Sequence, residues 1–81
     1  MIKCDVHDYV EIACLYKIEV LLTLHSGEEI TGVASTTSIN SDKQELLVII
    51  QGDDTTAVVL ETIKNMQALT SNPHFSSVDI Y

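Results

Sequence analysis

The sequence predicts a mainly β fold: a small curled barrel of five to six antiparallel strands carrying one N-terminal α-helix. Three observations predict it. Apolar residues recur at three- and four-residue spacings from Val6 to Tyr16, then switch to a two-residue alternation from Lys17 onward. Glycine-centred turn signals, Ser26-Gly27-Glu28 and Gln51-Gly52-Asp53-Asp54, punctuate the alternating part. The apolar residues make up 46 % of the chain, yet there is no Trp and one Phe, so the core must rest on Val, Ile and Leu.

The helix is the first element. Asp5 suits an N-cap with Asp8 at N3, a variant of the capping box, and acids in a first turn complement the helix dipole. Val6, Tyr9, Val10, Ala13 and Tyr16 are expected to dock it on the core while Asp8 and Glu11 face outward. Strand character begins at Lys17, where Ile18, Val20, Leu22 and Leu24 alternate with Lys17, Glu19, Thr23 and His25. After the Gly27 turn, a second strand runs through Ile30, Gly32 and Ala34, with Gly32 suggesting a bulge or sharp bend. Residues Thr36 to Lys43 are polar and aperiodic, which predicts a loop. Leu46 to Ile50 reads as a strand buried on both faces. Thr56, Val58 and Leu60 give another strand, and a brief turn near Thr62 to Lys64 leads into a strand from Met66 to Thr70. Asn72-Pro73 breaks it, and Phe75 to Tyr81 adds a final strand with Val78 and Ile80 on one face. A sheet this small has costly edges, and curling hides them, so a helix-capped barrel of Sm-like or SH3-like type fits best.

Size bounds the rest. Eighty-one residues predict a single domain spanning 1–81, with no room for separate cofactor and substrate domains. No cofactor is expected. Twelve acids against four bases give a net charge of −8, and the chain has no Arg. Phosphate backbones reward basic residues through counterion release, which argues against direct nucleic-acid binding. An acidic protein is steered instead toward positive surfaces, although acidity also serves plain solubility. Cys4 and Cys14 make no secreted-type disulfide framework, and Lys3, Asp5 and Asp8 interrupt any apolar leader. No apolar run approaches the length of about 20 residues that spans a bilayer. A soluble cytoplasmic protein with reduced thiols, monomeric when free and away from membranes, is the expectation.

Candidate chemistry is sparse. Cys4 and His7 have a Cys-x2-His spacing, with His25 and His74 as the only further histidines, but structural zinc sites show two close ligand pairs, so no metal site is expected. No nucleophile is marked as having a base and an orienting third group beside it. Each of the three glycines fits a turn or bend rather than a phosphate loop. The chain is not expected to be an enzyme. What local helix chemistry does not explain is Glu11, which lies beyond the first turn yet continues the three-residue spacing of Asp5 and Asp8. Like charges three apart on a helix repel, a cost relieved by something positive.

The run IKCDVHDYVEIAC supplies Ile2, Cys4, Asp5, His7, Asp8, Glu11, Ala13 and Cys14, followed by Gly27-Glu28, Ala34-Ser35, a strand from Glu45 and a late Pro73. This pattern resembles the bacterial Rho-binding antiterminator family, also called Rof or YaeO, over nearly the whole chain. The resemblance implies an Sm-like barrel with an N-terminal helix. It also implies that the protein binds the N-terminal domain of the transcription termination factor Rho and blocks its primary RNA-binding site. The residues it implies as Rho-binding are Asp5, His7, Asp8 and Glu11 on the helix, with Asn40, Ser41, Asp42 and Lys43 in the polar loop. Two other readings stand beside it: an Sm-like module that binds RNA itself, and an acidic adaptor for a different basic protein.

Overall fold

One short link determines the shape of the sheet. In the computed structural model, which describes residues 4–70 and 75–80 with side chains from His7 onward, α1 (Cys4–Leu15) is followed by six strands. These are β1 (Glu19–Leu24), β2 (Glu29–Ile39), β3 (Glu45–Gln51), β4 (Asp54–Val59), β5 (Ile63–Ala68) and β6 (Ser77–Asp79). All neighbours pair antiparallel in the order β4-β3-β2-β1-β5-β6. In a flat sheet β4 and β5 would lie about 19 Å apart, at roughly 4.8 Å per strand. A single 3-10 turn, Leu60–Thr62, joins them, and three such residues rise only about 6 Å. The sheet therefore curls until β4 and β5 approach each other. It does not close: among the described residues β4 and β6 each pair on one side only.

The helix is the three-turn element its spacing predicts, with Val10, Ala13 and Cys14 buried and Tyr9 and Ile12 packed against the core. Cys4 is already helical, so Asp5 lies inside the helix rather than capping it. Its end is a Schellman motif: Ile18 N–H donates to the Ala13 carbonyl at 2.9 Å, and Lys17 N–H to that of Cys14 at 3.3 Å. Lys17 takes the left-handed conformation (φ 52°) that usually falls to Gly. Tyr16, still bonded to the Ile12 carbonyl in the last helical turn, is exposed, contrary to the spacing.

Along β1, Val20 and Leu22 are fully buried, as alternation demands. Gly27 (φ 94°) closes the three-residue turn into β2, and Gly52 (φ 64°) begins a two-residue turn between β3 and β4. Gly32 stays in register with Val20, and the bulge comes three residues later, at Ser35, between the pairs Ala34↔Ile49 and Thr36↔Val48. Gly32 has a different duty: a Cβ there would meet the Ile50 carbonyl oxygen at 2.9 Å, so only glycine lets β3 come this close.

Three further expectations shift. Residues Thr36–Ile39 are strand, not loop, because β2 continues beyond the bulge to pair with Leu46, Leu47 and Val48. In β3, Leu47 and Ile49 are fully buried while Ile50 is exposed, so one face carries the core. The turn expected at Thr62–Lys64 is the 3-10 turn two residues earlier, where Leu60 plugs the core and β5 starts at Ile63. The last strand is shorter than the expected Phe75 to Tyr81, spanning Ser77–Asp79, but Val78 packs on the core and Ile80, just beyond the strand, is buried beside it as expected; the break at Asn72-Pro73 lies outside the described residues. No polar side chain is buried among the described residues.

Candidate partner-binding face

α1 meets the far end of the β2–β3 hairpin, and of the residues singled out from the sequence His7 and Glu11 line the cleft between them. Asp8 and Glu11 are exposed on successive turns of α1, with Ile12 and Leu15 completing their shallow surface. Leu15 is 72 % exposed, so this face offers carboxylates and apolar surface side by side. Asp5 lies one turn before Asp8 in the same helix.

His7 is half-buried and turns toward the sheet. Its Nε2 lies 2.5 Å from the Glu45 Oε2 at the start of β3, an ion pair when the imidazole is protonated. The approach is not aligned as a hydrogen bond, and Nε2 is otherwise shut off from solvent. Glu45 pairs across the hairpin with Ile39, which is 67 % exposed. His7, Val10, Glu11, Thr37, Ser38, Ile39, Glu45 and Leu60 thus line one cleft of about 410 Å³. A second groove runs from Glu11 along Cys14, Leu15 and Lys17 to Ser35, Thr36 and Thr37. Glu11 stands where these surfaces meet. The Lys17 ammonium does not face them freely: it donates to the Ser35 carbonyl at 3.0 Å.

The polar loop 40–44 adjoins the cleft, because Ile39 and Glu45 flank it. Its shape comes from Asn40, whose Oδ1 accepts from the backbone N–H groups of Asp42 and Gln44, both at 2.9 Å, while its Nδ2 donates to Gln44 Oε1. Lys43 takes φ 63° and donates its N–H to the Asn40 carbonyl. Asn40 therefore spends its amide inside the loop, and Ser41, Asp42 and Lys43 are the exposed members. Sequence reasoning missed Glu45, Thr37, Ser38 and Ile39. The β-branched Thr36-Thr37 pair and Ile39 were the available signal for strand here.

Beneath this face, burial raises the Cys14 thiol pKa above its ordinary value of 9.0; Lys17 opposes the shift and Glu11 adds to it. No three His, Cys, Asp or Glu among the described residues group as a metal cluster would require, and no described helix is long and apolar enough to cross a membrane.

A curled antiparallel sheet with one helix laid on it makes this a small, mainly β protein. The family follows from comparison. The model of the family described as modulator of Rho-dependent transcription termination (ROF) matches residues 1–80, and the chain belongs to that family. It is similar to a solved structure described as YaeO bound to magnesium from Vibrio cholerae O395, with 40 % identity and a TM-score of 0.83, covering 89 % of this chain and 94 % of that one. No curated protein gives a significant match. The family is a regulatory one, acting on transcription termination.

Proposed function

We propose that this protein inhibits Rho-dependent termination by binding the N-terminal domain of Rho and covering its primary RNA-binding site. One observation carries the reading: Asp8 and Glu11 stand exposed on a helix held rigidly against the sheet, in a chain of the Rho-modulator family. A site that holds RNA phosphates must be basic, and carboxylates on a fixed scaffold occupy the same field. Asp8 and Glu11 pair with arginine or lysine of Rho through charge-assisted hydrogen bonds, and Asp5, His7, Asn40, Ser41, Asp42 and Lys43 complete the contact. The whole chain acts as one Rho-binding unit, in the cytoplasm, without a cofactor and without contacting RNA itself.

The test is a Rho-dependent termination assay. Adding the protein should restore read-through, and Asp8→Lys with Glu11→Lys should abolish that effect while the unfolding midpoint stays in place. Truncating one member of a buried interfacial charge pair costs about 2–5 kcal/mol, so the double reversal exceeds what the interface can absorb. Unchanged read-through with the double variant would reject this face. RNA retained by the protein alone on a filter would favour direct RNA binding instead.

A further inference from the structure

The cleft between α1 and the end of the β2–β3 hairpin has a lining that the acidic row on the open helix surface lacks. Two carboxylates, Glu11 and Glu45, share it with the hydroxyl-bearing Thr37 and Ser38, and Val10, Ile39 and Leu60 supply apolar wall. No lysine lines it, and its one basic group, His7, already rests against Glu45, so the two carboxylates set its character. Its volume, about 410 Å³, sits near the low end for ligand sites and suits a side chain better than a cofactor. We infer that this cleft is a socket for one arginine side chain of the basic partner. The inference rests on the Rho-directed reading above and adds to it a defined point of entry.

The chemistry favours arginine over lysine. Its aliphatic stem lies comfortably along apolar wall while its planar fork of N–H donors matches carboxylates and hydroxyls. The free protein already places a group of this kind on Glu45: the His7 imidazole, a planar N–H cation when protonated, rests against that carboxylate. It does so without an aligned hydrogen bond. Glu45 therefore keeps acceptor capacity, and a guanidinium reaching it competes with a contact of poor geometry. The charged and titratable groups facing His7 are Glu11 on its own helix and Glu45 on β3; the cleft's β2 residues, Thr37, Ser38 and Ile39, carry no charge.

Two variants and one control test the socket by binding to purified Rho. Ser38→Phe fills the cleft without changing charge, and Glu45→Gln removes its inner carboxylate. Each should weaken binding about tenfold with the urea midpoint unchanged; should Ser38→Phe unfold the chain, Glu45→Gln decides alone. Asp8→Lys, outside the cleft lining, reports on the open surface. If Asp8→Lys loses binding while both cleft variants bind like the parent, the socket is overturned and the Rho reading stands. If the parent fails to bind Rho, both fall. Rho treated with phenylglyoxal, which caps arginine, should bind parent and Ser38→Phe alike; a tenfold difference that survives the treatment overturns arginine as the occupant.

Discussion

The two halves of β2 obey different rules. From Glu29 to Ala34 the strand lies over the core: Gly32 and Ala34 are buried, and Val20 and Ile49 pack from the strands on either side. After the bulge at Ser35, residues Thr36 to Ile39 are all exposed, although they continue to pair with β3. The first half holds the molecule together. The second projects past the core, held by backbone pairing, and forms one wall of the cleft beside His7 and Glu11. A strand can thus serve stability over one stretch and line an exposed cleft over the next, with a single extra residue separating the two.

Substitutions should separate these halves sharply. The largest effect is expected at Ile49, fully buried opposite Ala34: Ile49→Ala should cost about 2–5 kcal/mol in urea unfolding. Ile39→Ala, on the exposed half, should stay within about 0.5 kcal/mol of the parent while weakening Rho binding. A destabilising Ile39→Ala would erase the distinction. Next in size is Gly32→Ala. Its Cβ would press on the Ile50 backbone oxygen at 2.9 Å, which cannot yield without moving β3, so a loss of about 1–3 kcal/mol is expected. An unchanged midpoint would show that the two strands have slack.

The same contrast shows which parts of the fold sequence alone reveals. Where one face is buried and the other wet, alternation is written into the residues, as in Val20 and Leu22 or Leu47 and Ile49. In Thr36–Ile39 both faces meet water, so no alternation exists to be read, and polar composition imitates a loop. The helix was legible from Val10 and Ala13 because its buried stripe repeats; its end was not, since it depends on Lys17 adopting a conformation that its residue type does not announce. Asp8 and Glu11 could be found as an outward row. Glu45 could not, because its importance comes from His7, thirty-eight residues earlier in the numbering of the chain, and only the folded helix brings them together.

Smaller effects probe the boundary between core and face. Cys14 lies under the helix with its thiol held neutral, chiefly by burial. The fold therefore keeps a proton that the unfolded chain releases near 9.0. Its contribution to stability is complete below that pH and is lost as pH rises through the higher folded value. In a Cys4→Ala background, iodoacetamide should label Cys14 far more slowly in the folded protein than in urea at pH 8. Equal rates would mean that the thiol is open to solvent. Binding to Rho should also weaken as salt rises, since exposed charges are screened beyond about 8 Å at physiological ionic strength.

The smallest effect isolates the turn that delivers α1 to the sheet. Lys17 holds φ 52°, which strains a residue bearing a Cβ, and offsets this through its ammonium, bonded to the Ser35 carbonyl at the bulge. Lys17→Ala keeps the strain and loses the bond. Lys17→Gly loses the bond but removes the strain, at the expense of a more flexible unfolded chain. The left-handed conformation costs a non-glycine residue about 1–2 kcal/mol, and the added entropy of glycine takes back about 0.4–1 kcal/mol. Lys17→Gly should therefore be more stable than Lys17→Ala by up to about 1.6 kcal/mol. If alanine proves equal to glycine, the Schellman end of α1 is not strained at Lys17, and the helix is fixed to the sheet by the packing of Val10, Ala13 and Cys14.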